Sequence, residues 1–364
     1  MNSFPIRITP DTLARELAET NEQTLELMQT LSELQDEDIQ YGVSAKHAVY
    51  SEDKLVLYHF EPHVKRPFKI PVLISYALVN RPYMTDLQDN RSLVKNLLDL
   101  GLDLYLIDWG YPGREDRWLT LDDYINGYID TCVDVVRERH GLDQINLLGI
   151  CQGGVFSLCY ASIHPEKIKN LITMVTPVDF SSDDVILNVW TGCHFGAPAV
   201  DADLMVEAMG NVSGDFMNFG YMMLKPFQLN VQKYANLRQI GDNKRRVQDF
   251  LRMEKWIFDS PDQAGEAWKE FVKEFYQSNK LIKGETVIGD QAVDLKNITM
   301  PVLNIYAEQD HMVPPASSQA LEKYVGTDDY TVASFPVGHI GMYVSGKVQH
   351  DLPPLIANWL EERA

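Results

Sequence analysis

Three residues of the types that carry out nucleophilic acyl chemistry stand far apart in this sequence: Cys151, Asp310 and His339. A cysteine thiolate can attack a carbonyl carbon, an imidazole can take the proton from the thiol, and a carboxylate can orient the imidazole. Each of the three follows an apolar run that predicts a buried strand. Because open α/β sheets place their active sites beyond the carboxyl ends of the strands, we expect the three side chains to meet there.

The stretch around Cys151 predicts how the sulfur is presented. Ile145 to Ile150 is rich in β-formers and indicates a buried strand, and helical spacing resumes after Gly153. Between them, Gly149-Ile-Cys-Gln-Gly153 matches the nucleophile elbow of α/β hydrolases, with Cys in the place of Ser. A Cβ at either flanking glycine would collide with the neighbouring strand or helix. The turn sets Cys151 at a helix N-terminus, whose N–H groups and dipole favour a thiolate. A structural cysteine buried in the core is the weaker alternative.

The order of the three residues along the chain supports the same chemistry. Nucleophile Cys151, acid Asp310 and base His339 follow the order of α/β hydrolases. Asp310 is expected either to orient His339 or to help it deprotonate a second substrate. Asp108 is a competing carboxylate at a strand exit, but it precedes the nucleophile, so we predict a structural role for it. His311 is expected to pack beside the site.

Two backbone N–H groups are expected to stabilise the tetrahedral oxyanion, each by roughly 3–4 kcal/mol in comparable sites. The first belongs to Gln152, the residue after the nucleophile. The second comes from the loop that follows the predicted strand Ile70 to Tyr76. We assign it to Val79, with Leu78 or Asn80 as alternatives one position away.

The alternation of strands and helices predicts an α/β-hydrolase fold, with a mostly parallel sheet and helices on both faces. The alternation stops at Asp179 and resumes near Ile298, and the sequence between is rich in aromatic residues and Met at helical spacing. A helical insertion at this point is expected to form a cap or lid that excludes water. The predicted segments are an N-terminal helical segment 1–48, a first core part 49–178, a cap insertion 179–297 and a second core part 298–364.

Charge and composition narrow the possible partners. The 364 residues carry a formal net charge of −20, which argues against nucleic acid as a partner. The same field opposes an anionic substrate such as an acyl-CoA, so local basic groups would have to receive it. Arg81 and the basic run 244–246 are candidates, although solvated surface charges are the commoner explanation for any one of them.

Neither the cysteines nor the N-terminal segment predicts a metal site or a targeting sequence. Four scattered cysteines without a CxxC pair indicate a reducing, cytoplasmic location and no zinc site. Cys193-His194 offers two possible ligands, too few for a metal. No signal peptide and no membrane span are predicted. We therefore expect neither a metal nor a cofactor.

A cysteine nucleophile favours acyl transfer over hydrolysis. Its attack on an acyl thioester gives another thioester at little free-energy cost, so the acyl group stays activated. An alcohol held in a dry site can then accept it.

Five further motifs are distinctive: Tyr76-Ala-Leu-Val-Asn-Arg-Pro-Tyr-Met-Thr-Asp86, Leu106-Ile-Asp-Trp-Gly-Tyr-Pro112, Leu148-Gly-Ile-Cys-Gln-Gly-Gly154, Phe250-Leu-Arg-Met-Glu-Lys-Trp-Ile-Phe-Asp-Ser-Pro261 and Gly338-His-Ile-Gly341. Together they closely resemble the catalytic subunit of class III polyhydroxyalkanoate synthases, and the resemblance extends from about Val43 to the C-terminus.

The resemblance implies polymerisation of (R)-3-hydroxyacyl-CoA, chiefly 3-hydroxybutyryl-CoA, with release of CoA and with Cys151 carrying the growing chain as a thioester. It implies that His339 deprotonates the thiol, while either Asp310 or His339 promotes attack by the substrate hydroxyl. It further implies a second, non-catalytic subunit, a homodimer or larger hetero-oligomer, and a location at polymer granules in the cytoplasm. The alternatives are a thioesterase or hydrolase of the same fold with a Cys nucleophile, and a non-enzymatic binding module.

Overall fold

The structure is a computed structural model that describes residues 9–181, 189, 191–194, 197–198 and 200–364, with only the backbone of 193–194 and 197–198. In this part of the chain the fold is built on one eight-stranded sheet in the order β1-β2-β4-β3-β5-β6-β7-β8. The strands are β1 His47–Glu52, β2 Leu55–Phe60, β3 Val72–Ser75, β4 Leu104–Asp108, β5 Ile145–Ile150, β6 Ile168–Met174, β7 Val302–Ala307 and β8 Tyr330–Phe335. Strand β2 pairs antiparallel with β1 and β4, and the other pairs are parallel. Strands β3 to β8 therefore end at the same edge.

Helices connect and cover the strands. The α-helices of the described residues are α1 Pro10–Ser32, α2 Leu93–Asp99, α3 Asp130–His140, α4 Gln152–Ile163, α5 Ala202–Met209, α6 Gly214–Met223, α7 Lys233–Arg238, α8 Lys244–Phe258, α9 Gly265–Phe271, α10 Lys280–Lys283, α11 Pro315–Gln319, α12 Gly341–Val344 and α13 Gly346–Glu361. Wider π-helical segments are Asp123–Ile129, Gln228–Gln232 and Val272–Gln277.

The sheet is buried on both faces, as expected for parallel strands. One face joins a large apolar core with α3 and α4 and contributes Leu73, Leu147 and Leu171. Side chains alternate along a strand, so the next residues point to the opposite face. These are Ile74, Leu148 and Ile172, which are also fully buried. The strand exits are thus fixed by a packed sheet, and the predicted α/β layering is confirmed.

Two features of the fold are absent from the sequence-based prediction. Strand β1 is absent from the prediction because it is a largely exposed edge strand without a strong apolar pattern. It joins β2 through a tight turn in which Asp53 has φ +50°. The second is the π-helical segment Asp123–Ile129, which runs directly into α3.

The described residues divide into two compact units. One contains the described part of Met1–Tyr41 and Asn218–Phe258, and the other contains Gly42–Met217 and Asp259–Ala364. The predicted segments 1–48 and 179–297 do not coincide with these units. Part of the predicted cap, residues 182–188, 190, 195–196 and 199, lies outside the described residues. The function of the insertion as a lid stays a prediction.

Contacts inside the first unit explain why the N-terminal helix belongs with 218–258. The Thr30 hydroxyl donates to the Gly241 carbonyl at 2.6 Å. The Arg252 guanidinium donates to the carbonyls of Asp38 and Gln40 at 2.7 and 3.0 Å. These hydrogen bonds link residues more than two hundred positions apart, which local patterns in a sequence do not indicate.

Along α1, the apolar side chains of Leu13, Leu17, Leu25 and Met28 are exposed. Among the described helices, none is both long enough and apolar enough to cross a membrane.

Candidate functional site

Cys151 lies in a strained turn between β5 and α4. Its backbone has φ +55° and ψ −123°, a conformation that non-glycine residues rarely adopt. The flanking glycines have the role that the sequence predicts. A Cβ on Gly153 would lie 2.3 Å from the Ser75 carbonyl oxygen and 2.5 Å from that of Tyr76, and one on Gly149 would lie 2.6 Å from the helix backbone. The elbow therefore requires glycine at both positions.

Further contacts, which the sequence analysis did not single out, lock the elbow to the neighbouring strand. The Cys151 N–H donates to the Met174 carbonyl at 2.9 Å, at the end of β6. A Cβ on Gly154 would lie 1.8 Å from the Thr176 hydroxyl oxygen. In the local sequence, only Gly154, the second of two consecutive glycines, indicates this contact.

Asp310 and His339 meet at the carboxyl edge of the sheet, just after β7 and β8. His339 Nδ1–H donates to Asp310 Oδ2 at 2.7 Å, and both side chains are almost fully buried. The other carboxylate oxygen accepts the backbone N–H groups of Met312 and Val313, each at 2.9 Å. Burial by itself would raise the pKa of the Asp310 carboxyl, but His339 and these two N–H groups lower it below its usual value.

His339 is also coupled electrostatically to Cys151, which places Cys151 beside the Asp310–His339 pair. Burial alone would lower the pKa of His339, but the charges of Asp310 and Cys151 and hydrogen bonds to both raise it. Since Nδ1 is bonded to Asp310, Nε2 is the nitrogen that remains for the sulfur. The arrangement can remove a proton from the thiol and hold the resulting positive charge.

The loop after β3 is held against the elbow by two side chains. The Gln152 side-chain oxygen accepts the Leu78 N–H at 3.0 Å, and the Trp109 indole N–H donates to the Tyr76 carbonyl at 2.9 Å. The Leu78 N–H is therefore already engaged within the protein. A second oxyanion donor from Val79, or from the alternative Asn80, stays a prediction. The sequence analysis did not predict the function of the Gln152 side chain.

Asp108 forms an ion pair with Arg81. Its carboxylate accepts the Arg81 guanidinium at 2.8 Å and the Gly110 N–H at 3.0 Å. Arg81 also donates to the Gly110 carbonyl at 2.7 Å and lies over the Tyr111 ring, 4.2 Å from its centroid. These contacts agree with the structural role predicted for Asp108. They also occupy the guanidinium of Arg81, which the sequence suggested as a binding group for an anionic substrate.

Two buried tyrosines flank the Cys151–His339 pair. The Tyr76 and Tyr343 rings meet edge to face with centroids 6.3 Å apart. Burial raises the pKa of Tyr343 well above its ordinary value, and Tyr76 and Cys151 add to the effect. The sequence did not point to Tyr343, although its position one helical turn after His339 would have placed it near the site.

The described residues hold no group of three or more His, Cys, Asp or Glu side chains arranged to bind a metal ion. The side chains of Cys193 and His194, which the sequence analysis considered as ligands, lie outside the described residues.

Residues 71–345 match a family model described as alpha/beta hydrolase fold. The solved structure of Paleococcus ferrophilus monoacylglycerol lipase aligns with a TM-score of 0.55 and 17% identity, over 86% of this chain and 100% of that one. The similarity confirms the predicted fold and, at this identity, nothing beyond the fold.

Sequence relatives are much closer. The Poly(3-hydroxyalkanoate) polymerase subunit PhaC of Synechocystis is 61% identical over 349 residues, covering 96% of this chain and 92% of the relative. The subunit of the same name from Allochromatium vinosum is 55% identical over 362 residues, covering 99% and 100%. At this identity, over nearly the full length of both proteins, the chain belongs to the PhaC family of poly(3-hydroxyalkanoate) polymerase subunits.

Proposed function

We propose that this chain is an acyltransferase that polymerises (R)-3-hydroxyacyl-CoA, chiefly 3-hydroxybutyryl-CoA, into a polyester and releases CoA. The observation that carries the proposal is the His339–Asp310 hydrogen bond beside Cys151 in a chain whose close relatives are polymerase subunits. No cofactor is needed, because the substrate is already activated as a thioester.

In the first half-reaction the Cys151 thiol gives its proton to His339, and its sulfur attacks the thioester carbonyl carbon. The oxyanion accepts the N–H groups of Gln152 and Val79. Gln152 is the first residue of α4, so its N–H has no acceptor inside the helix. The bond between the carbonyl carbon and the CoA sulfur then breaks, and the CoA thiolate takes the proton from His339. The products are a Cys151 thioester and free CoA.

In the second half-reaction the 3-hydroxyl of another acyl unit attacks the Cys151 thioester. The hydroxyl proton must go to a base, and the Cys151 sulfur leaves. The contacts support His339 as this base as well, because both oxygens of Asp310 are already occupied, one by His339 and the other by two backbone N–H groups. Asp310 then orients His339 and stabilises its charged form.

The word subunit in the relatives' names supports a second, non-catalytic subunit for this chain too. We further propose that it works as a homodimer or a larger hetero-oligomer, and that it is located at polymer granules in the cytoplasm, where an insoluble product would hold it.

Incubation of the purified protein with 3-hydroxybutyryl-CoA tests the reaction. Polymer and free CoA are the expected products. Free 3-hydroxybutyrate as the sole acyl product would contradict the proposal and favour the alternative, a Cys-nucleophile thioesterase or hydrolase of the same fold.

A Cys151→Ser variant tests the thioester link. An oxygen ester at this position loses the activation that the second half-reaction uses, so we expect polymerisation to fall by at least about a hundred-fold while the protein remains folded. Polymerisation by this variant near the wild-type rate would show that an activated cysteine thioester is not required.

A further inference from the structure

The loop that bears the predicted oxyanion donor is also held by residues far along the chain. We propose that Ser260 and Asp259 are positioning residues that fix the oxyanion loop, defined here as residues 76–80, through hydrogen bonds to Asn80 and Tyr83. The inference rests on the proposed function, because it concerns the rate of acyl transfer to Cys151.

Ser260 acts on the end of the loop. The Asn80 side-chain amide donates to the Ser260 hydroxyl oxygen at 2.6 Å. The backbone of Asn80 has φ +58°, in the left-handed region. Asn tolerates this region better than most residues, but the conformation still needs support from its surroundings. Because Asn80 directly follows Val79, a shift at Asn80 would move the N–H that we assign to the oxyanion.

Asp259 acts on the segment just after the loop. Its two carboxylate oxygens accept the hydroxyls of Tyr83 at 2.9 Å and Tyr111 at 2.7 Å. The Tyr111 ring in turn lies against the Arg81 guanidinium. Hydrogen bonds to an ionised acceptor are stronger than neutral ones. Asp259 and Ser260 therefore hold the chain on both sides of Arg81.

The backbone around Ser260 is fixed by contacts of its own. A Cβ on Gly214 would lie 2.1 Å from the Ser260 carbonyl oxygen, so the two backbones are in close contact. The Gly214 N–H donates to Asp262 at 3.0 Å, and Val212 and Gln263 exchange backbone hydrogen bonds at 3.0 and 2.9 Å. Loss of the Ser260 hydroxyl should therefore leave this segment in place. Its substitution tests positioning rather than folding.

Together with Trp109 and Gln152, Ser260 completes three attachments of the oxyanion loop. They bind the Tyr76 carbonyl, the Leu78 N–H and the Asn80 side chain. The first two orient the start and middle of the loop, and the third orients its end. An oxyanion hole acts through preorganised donors, and a small displacement of a donor removes much of its effect.

The experiment compares Ser260→Ala and Asp259→Asn with wild type in the full chain. We expect each to lower kcat for CoA release from 3-hydroxybutyryl-CoA by about ten-fold, with little change in KM, because a displaced donor weakens transition-state binding. The alkylation rate of Cys151 by iodoacetamide should stay at the wild-type value, since it depends on His339 and not on the loop. Ser260→Thr keeps the hydroxyl and should restore kcat.

Ser32→Ala, which removes a hydroxyl bonded to a helix carbonyl in α1, is the matched control and should behave as wild type. Wild-type kcat in both variants would overturn the proposal. A fall in kcat that is accompanied by a lower alkylation rate and a lower melting temperature would also overturn the proposal, because that pattern indicates a structural role.

CoA release separates this inference from the proposed function. If wild type releases CoA but forms only free 3-hydroxybutyrate, polymerisation is refuted, and the variants still report on the positioning of the oxyanion loop.

Discussion

Asp310 and His339 form a nearly fully buried pair of opposite charges, and burial opposes both charges. The charged pair is stabilised because the carboxylate accepts hydrogen bonds from the His339 imidazole and from two backbone N–H groups. Loss of one member of such a pair leaves an uncompensated buried charge and typically costs about 3–5 kcal/mol. The contribution of this pair to the free energy of unfolding therefore depends on pH.

The change Asp310→Asn tests this dependence. The folded-state pKa of His339 is raised to about 10, so its stabilising contribution is fully present below the unfolded value of about 6.5 and is lost as pH rises towards the folded one. We expect the variant to be roughly 3 kcal/mol less stable near neutral pH. Its unfolding free energy should decline less steeply than that of wild type between these two pKa values, as measured by urea denaturation.

Asp99→Asn is the matched control for this measurement, because Asp99 accepts His63 at 2.6 Å in an exposed pair. Exposed pairs contribute little, so its stability curve should follow that of wild type. Parallel curves for Asp310→Asn and wild type between these pKa values would show that the charge of Asp310 does not raise the pKa of His339.

At the scale of elements, the elbow depends on close contact between α4 and β3. The backbone of Gly153 touches the carbonyls of Ser75 and Tyr76, and these carbonyls end the strand from which the oxyanion loop leaves. The same contact thus fixes the nucleophile and the loop relative to each other.

Gly153→Ala is expected to displace both the nucleophile Cys151 and the oxyanion loop. The added methyl meets backbone oxygens that cannot rotate away, and such overpacking costs roughly 1–3 kcal/mol. We expect a lower melting temperature together with a loss of CoA release, measured by calorimetry and by a thiol assay. Gly346→Ala, at the start of α13 with no atom near the new methyl, should change neither. Equal stability of the two variants would show that the contact is not tight in solution.

The strand exits could be predicted from the sequence because apolar runs end there in glycine, proline or polar residues. That pattern located Cys151, Asp310 and His339 and the main parallel strands. The bond between Asn80 and Ser260 could not be predicted, because it joins residues 180 positions apart. The π-helical segment Asp123–Ile129 was also missed, since its apolar residues are compatible with an ordinary helix.

At the scale of the whole molecule, the net charge of −20 opposes a CoA thioester. Arg81, one of the basic residues that could offset this repulsion, is engaged by Asp108 and Gly110. Long-range repulsion should therefore influence substrate capture.

Added salt should relieve this repulsion. Between roughly 50 mM and 200 mM salt the Debye length shortens to below about 10 Å, and we expect KM for 3-hydroxybutyryl-CoA to fall by about two-fold. A short neutral thioester of the same acyl group should show no such change in steady-state assays. A KM that rises with salt would mean that local basic groups dominate the capture of CoA.

The pairing of α1 with residues 218–258 has a practical consequence for protein engineering. A shortened chain that began at residue 42 would lack residues that contact the segment 218–258. Gly241 would lose the Leu27 backbone against which it packs, and Arg252 would lose the carbonyls of Asp38 and Gln40. N-terminal truncations that reach these residues therefore alter the segment 218–258, and changes in activity after such a truncation report on that segment too.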